Sequence, residues 1–237
     1  ENKIISQEEY KNTPLAELYR KYYFSEETTD LKGLAGIQYL NDGLYKFDNL
    51  NIPEAFKQVK KGGYLFPNQK TTFLIVLVGA QKVNQSDYME LNDVKDFVLF
   101  TRIKGMGINS SQLEQEFGRL TYNQLIEHSE VELYSQSYQY IRANIDSNEL
   151  YNEIAYLYHS ELARHYYKQG KYADAYPLFD TALMIKPKNT DAQTNYLSAL
   201  ILNFNTLPIF KVIDILENAG KKHPELKENG LFITTKM

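Results

Sequence analysis

The chain has 237 residues, 43% of them hydrophobic and 24% charged, and no cysteine. That composition excludes intrinsic disorder, a disulfide-stapled mini-protein and a cysteine-ligated metal site. With 26 Lys+Arg against 30 Asp+Glu the formal net charge is −4, and no strongly basic stretch stands out, so nucleic acid is not an expected partner.

The chain opens on Glu1 instead of Met, and the expectation is that an upstream piece precedes it: a signal peptide, a lipoprotein leader or a further domain. Residues 1–32 read as an N-terminal segment carrying a capping helix near Pro14–Phe24. From there, apolar spacing predicts helices over 33–47, 53–64, 69–84, 89–104 and 111–128, then 131–146, 150–169, 172–185, 190–204 and 208–221. Phe73, Val76, Leu77 and Ala80 mark one face; Leu91, Val94, Val98 and Ile103 mark the next. Asn109 to Ser111 can cap the helix that carries Leu113, Phe117 and Leu120. The β-branched and aromatic content of Thr71–Val78 and Phe97–Ile103 also allows two strands. Neither run alternates strictly and no hairpin turn joins them, so the helical reading is preferred. The most apolar run, Phe73 to Ala80, falls far short of the roughly 20 residues needed to span a bilayer.

Residues 156–189 carry a pattern of their own. Leu162-Ala163, Tyr166, Gly170, Tyr172, Ala175, Phe179, Ala182 and Pro187 recur at fixed offsets. Alanines stand where two helices must approach closely, aromatics fill the space between them, Gly170 stops one helix and Pro187 the next. This window resembles a tetratricopeptide (TPR) repeat. Ala55, Val59, Gly62 and Pro67 repeat its second half, as do Val212, Leu216, Ala219 and Pro224, with Pro224 displaced three residues from a strict period. The resemblance implies an all-α, right-handed superhelical array of antiparallel helix hairpins. Degenerate hairpins would occupy 33–149, and clearer repeats with a C-terminal tail 150–237.

Constellations that could carry chemistry are few. Glu161 and His165 lie one helical turn apart, with His159 nearby, but two histidines do not flank a glutamate as a zinc protease requires. His128, Glu130 and Glu132, and the pair Glu114 and Glu116, have no nucleophile motif beside them. Gly62-Gly63 and Gly105-Met106-Gly107 lack the Lys-Ser/Thr of a phosphate loop. No catalytic residue, metal or cofactor is therefore expected, and an enzyme using Glu and His in the middle region is the weakest of the readings. Lys57, Lys60 and Lys61 form one small basic cluster and Lys221-Lys222-His223 another. Both complement a helix C-terminus, and either could dock an acidic segment.

The TPR resemblance implies a concave groove lined by the first helix of each pair, in which a segment of a partner protein lies. Its groove-facing positions fall on Leu157, Ser160, Glu161, Arg164, Tyr167 and Lys168, with Asn195 in the following repeat. The expected function is a non-enzymatic protein-binding scaffold with a protein or peptide partner and no membrane span. The alternative is a sensory or accessory half of a larger regulator or enzyme, a layout that resembles some bacterial peptide-sensing regulators. Compartment and oligomeric state are not encoded in these patterns.

Overall fold

The computed structural model describes residues 29–101, 110–145 and 148–236. Among the described residues there are eleven α-helices and no strand. In chain order they are α1 (Leu31–Asp48), α2 (Ile52–Leu65), α3 (Gln69–Gln85), α4 (Leu91–Thr101), α5 (Ser110–Leu120), α6 (Val131–Asn144), α7 (Asn148–Lys168), α8 (Tyr172–Ile185), α9 (Thr190–Asn203), α10 (Ile209–Lys222) and α11 (Gly230–Lys236). The segments that also allowed strands are helical at every described position. The expected helix at Pro14–Phe24 lies outside the described residues, as do Ile103, Gly105, Gly107 and Asn109.

The chain divides into two compact units, Glu1–Ser86 and Asp87–Met237. The repeat reading places its boundary at 149/150 instead. That position opens α7, which approaches α5 as well as α8, so it falls inside a packed body.

In the first unit each helix start is fixed locally. The Asp30 carboxylate accepts from Gly33 N at 2.7 Å, and the Asn68 side chain from Thr71 N at 2.8 Å, satisfying backbone donors that a helix start leaves unpaired. Pro53 sits in the first turn of α2, where its missing N–H costs nothing. The inner face of α1 is Gly33, Gly36, Leu40 and Gly43, and that of α2 is Ile52, Ala55, Phe56, Val59 and Gly62. These small residues let the two backbones lie close together, and α3 packs against α2 in turn.

In the second unit α4 packs against α6, and α5 against α7. Consecutive helices therefore do not all pair as the hairpin reading expects. A further difference is the continuation of α5, which widens into a π-helix over Thr121–Glu127. A buried polar knot accompanies the wide turn. The Thr121 hydroxyl donates to the Phe117 carbonyl at 2.8 Å and lies 3.1 Å from the Tyr134 hydroxyl. The Gln124 amide donates to the Ser137 hydroxyl at 3.1 Å and to the Tyr88 carbonyl. Tyr88 is fully buried with φ +59, a backbone conformation costly for a bulky side chain, and its hydroxyl donates to Glu116. Tethers at both the carbonyl and the hydroxyl hold it there.

The best-matched hairpin, α7–α8, has the interior its spacing requires. Ala163, Ala175 and Ala182 are fully buried, and Phe179 fills the gap beside them. Gly170 takes φ +73 just beyond α7, the left-handed conformation that glycine adopts without strain. Beyond α10 the chain forms a 3₁₀ turn (Pro224–Glu228) and then α11, which the apolar spacing does not announce. Phe232 of α11 is buried against Gly220, joining the same core as α8, α9 and α10.

Candidate functional site

The positions on α7 that the repeat resemblance expects to face a groove fall on one stripe of the helix, because residues three and four apart share a face. Four of the seven expected residues come together. Arg164, Tyr167 and Lys168 from α7 meet Asn195 from α9 around a cleft of about 120 Å³. Phe179 of α8 forms part of its lining, and Ser198 of α9 completes it. Sequence reasoning assigned Phe179 only to the core and missed Ser198, although three residues beyond Asn195 is the next position on the same face.

The other three expected residues sit elsewhere. Ser160 is only 4% exposed, and neither it nor half-buried Leu157 lines the cleft. Glu161 stands behind the cleft as an ion-pair partner: its Oε1 accepts from Arg164 Nη1. A guanidinium carries five donors in a fixed plane, and this contact engages one nitrogen while orienting the rest.

The electrostatics of this end of α7 are positive. Lys168 is exposed and has no ion-pair partner among the described residues. His165, next to Arg164, is held below the ordinary imidazole range, first by partial burial and then by Lys171 and Lys168. The wall of the cleft is aromatic. The Tyr167 ring meets Tyr172 edge-on at 5.3 Å and Phe179 at 6.4 Å between centroids. Asn195 makes no side-chain hydrogen bond among the described residues, so its amide can both donate and accept. The cleft thus offers two cations, one free amide and an apolar wall within one small concavity.

Several of the other polar groups are engaged in structure. His159 packs edge-on to Tyr138 and Tyr158, while His165 bonds Gln169 at 2.7 Å. They therefore do not join Glu161 around a common point. Glu116 accepts from Tyr88 and takes both oxygens to Arg119, at 2.7 and 2.9 Å. Lys222 and His223 both grip Asp180 of α8, His223 Nε2 at 2.7 Å, so this basic cluster clasps α10 to α8. Among the described residues no group of three or more His, Asp or Glu is arranged to hold a metal ion, and no helix is long and apolar enough to cross a membrane.

His159 gives a pH-dependent expectation. Its Nδ1 is enclosed without a hydrogen-bond partner, and its pKa is lowered, first by burial and then by Arg142. The unfolded chain therefore binds this proton more readily than the folded one. Stability is full above the unfolded value of about 6.5 and falls as pH drops through it. Urea unfolding from about pH 7.5 to about pH 5 should show a smaller acid loss in His159→Gln than in the parent. Equal losses would remove His159 from that role.

No family model matches the chain, and no curated protein and no solved structure matches it.

Proposed function

We propose that the protein is a non-enzymatic, peptide-binding scaffold. In this reading the hairpins of residues 148–222 act as a TPR-like array, right-handed and superhelical. A segment of a partner protein crosses α7 and α9 at the cleft formed by Arg164, Tyr167, Lys168 and Asn195. The observation that carries it is that convergence. Residues one repeat apart, Arg164 on α7 and Asn195 on α9, line the same hollow with Phe179 of the intervening helix. Such an arrangement suits main-chain hydrogen bonding at the amide and a carboxylate at the cations, where charge-assisted bonds are about twice as strong as neutral ones.

Arg164→Glu tests the reading. Arg164 is on the surface, with 43% of its side chain exposed, so helicity and melting should change little. Retention of co-purifying protein from the native source should fall by about tenfold, since reversing a charge at a contact costs on the order of 1.4 kcal/mol or more. The same partner retained at parental levels by a folded variant would overturn the assignment of the cleft.

A further inference from the structure

A larger concavity lies near the C-terminal end of the second unit, where α9, the 3₁₀ turn and α11 meet. Its volume is about 670 Å³, within the range of roughly 300–1,000 Å³ that small-molecule sites occupy. Lys188 and Thr190 flank the N-cap Asn189 of α9, and Gln193 stands one turn further along that helix. Glu225 and Glu228 come from the 3₁₀ turn, and Asn229 leads into α11. Gln193 and Asn195 are two apart on α9 and do not share a face, so this concavity and the proposed cleft use different sides of one helix.

The floor is polar and fixed. Gln193 and Asn229 are 8% and 7% exposed. Gln193 Nε2 donates to the Pro187 carbonyl at 2.8 Å, and its Oε1 accepts from Asn229 Nδ2 at 3.2 Å. Asn229 Oδ1 accepts in turn from Leu231 N at 3.0 Å. Amides held at both ends are preorganised for a ligand. The rim is charged. A 3₁₀ helix has three residues per turn, so Glu225 and Glu228 stand in line on one side of it. Glu225 Oε1 lies 3.5 Å from His223 Nδ1. Glu228 and Lys188 are exposed, and neither has an ion-pair partner among the described residues.

We infer that this concavity binds a basic amino acid, free or as the C-terminal residue of a short peptide, with its guanidinium at Glu225 and Glu228 and its α-carboxylate at Lys188. Two aligned carboxylates match the planar fork of five donors that a guanidinium carries, and the lysine ammonium matches a carboxylate. The charges balance as well. Two carboxylates and one ammonium leave the lining with one excess negative charge, and arginine carries one excess positive charge. A phosphate ligand does not suit a rim on which carboxylates outnumber lysine. An inorganic cation does not suit it either, because among the described residues no group of three His, Asp or Glu could hold one.

The test is calorimetric titration of the whole chain with L-arginine, agmatine, L-citrulline and the tripeptide Gly-Gly-Arg. Agmatine lacks the carboxylate and citrulline lacks the guanidinium charge, so each should bind about tenfold more weakly than arginine. Glu228→Gln should weaken arginine binding by about tenfold and leave that of citrulline unchanged. Lys188→Gln should weaken arginine binding comparably and leave that of agmatine unchanged, since only arginine presents a carboxylate to it. Tighter binding of Gly-Gly-Arg than of arginine assigns the peptide source, and weaker binding assigns the free amino acid. Arg164→Glu should leave every one of these affinities at its parental value, which separates this site from the cleft on α7. Absence of saturable binding of both arginine and Gly-Gly-Arg up to about 10 mM would overturn the inference. So would arginine binding undiminished in folded Glu228→Gln and Lys188→Gln, or agmatine and citrulline binding as tightly as arginine.

Discussion

Phe179→Ala is expected to destabilise the second unit by about 3–5 kcal/mol, the range for emptying an aromatic position in a core. Phe179 is 2% exposed and belongs to one buried core with Ala163 of α7, Leu183 of α8 and Tyr196, Leu197 and Leu200 of α9, so emptying its position weakens a core that all three helices share. The neighbours are poorly able to close the gap. Ala163, Ala175 and Ala182 carry only a methyl group, and Tyr167 meets the ring edge-on. For a unit of this size each kcal/mol corresponds to roughly 2–4 °C, so a melting-point fall of about 10 °C is expected. Because Phe179 also lines the cleft, partner retention should fall in the same variant even below its transition temperature. A loss under about 1 kcal/mol would show that this ring does not hold the hairpin interface together.

The residues of this interface were legible in the sequence for the reason that they are energetically dominant. Alanine at 163, 175 and 182 with an aromatic at 179 is a steric requirement of two helices in close approach, and it leaves a fixed spacing. Apolar periodicity placed ten helices where the described residues are helical. The end of the one expected over 89–104 lies outside them, and the one expected over 111–128 changes to a π-helix at Thr121. The cleft was legible in part, because a helix face follows from spacing alone. Whether a face is open depends on what else packs there, and α7 is flanked by α5 as well as α8. Spacing could not announce that Ser160 is enclosed or that Glu161 turns toward Arg164.

The remaining features rest on interactions distant in sequence. The π-helix at Thr121–Glu127 is tied to Tyr88 through Gln124, 36 residues away. No local pattern records that pairing. α11 is short, and its Leu231-Phe232-Ile233-Thr234-Thr235 composition favours a strand as readily as a helix. Burial of Phe232 against Gly220 anchors it to α10. Pairing order was hidden for the same reason: the approach of α4 to α6 skips α5, which lies between them in the chain.

Valine at position 36 should unfold or loosen the α1–α2 pair, at a cost of about 3 kcal/mol. A Cβ on Gly36 would lie 2.7 Å from Phe66 Cβ, 2.9 Å from Phe66 N and 3.1 Å from the Gly62 carbonyl oxygen. Two of those three atoms are backbone, so no rotamer change relieves the overlap and α1 must move off α2. That movement also uncovers Leu40, whose Cδ2 would lie 2.6 Å from a Cβ on Gly62, and Val59, whose Cγ1 would lie 2.7 Å from a Cβ on Gly43. The loss should appear as reduced amide-exchange protection over 31–65 with little change in the second unit. Gly118→Ala supplies the matched control. Position 118 is exposed within α5 and a Cβ there meets nothing within 4 Å. Only the backbone term then operates, and alanine should stabilise by about 0.5–1 kcal/mol. If Gly36→Val were as stable as the parent, the close approach of α1 to α2 would not be what selects glycine at 36. Opposite signs at the two positions would attribute the cost at 36 to contact across the helix pair, because glycine's intrinsic helix penalty is common to both sites.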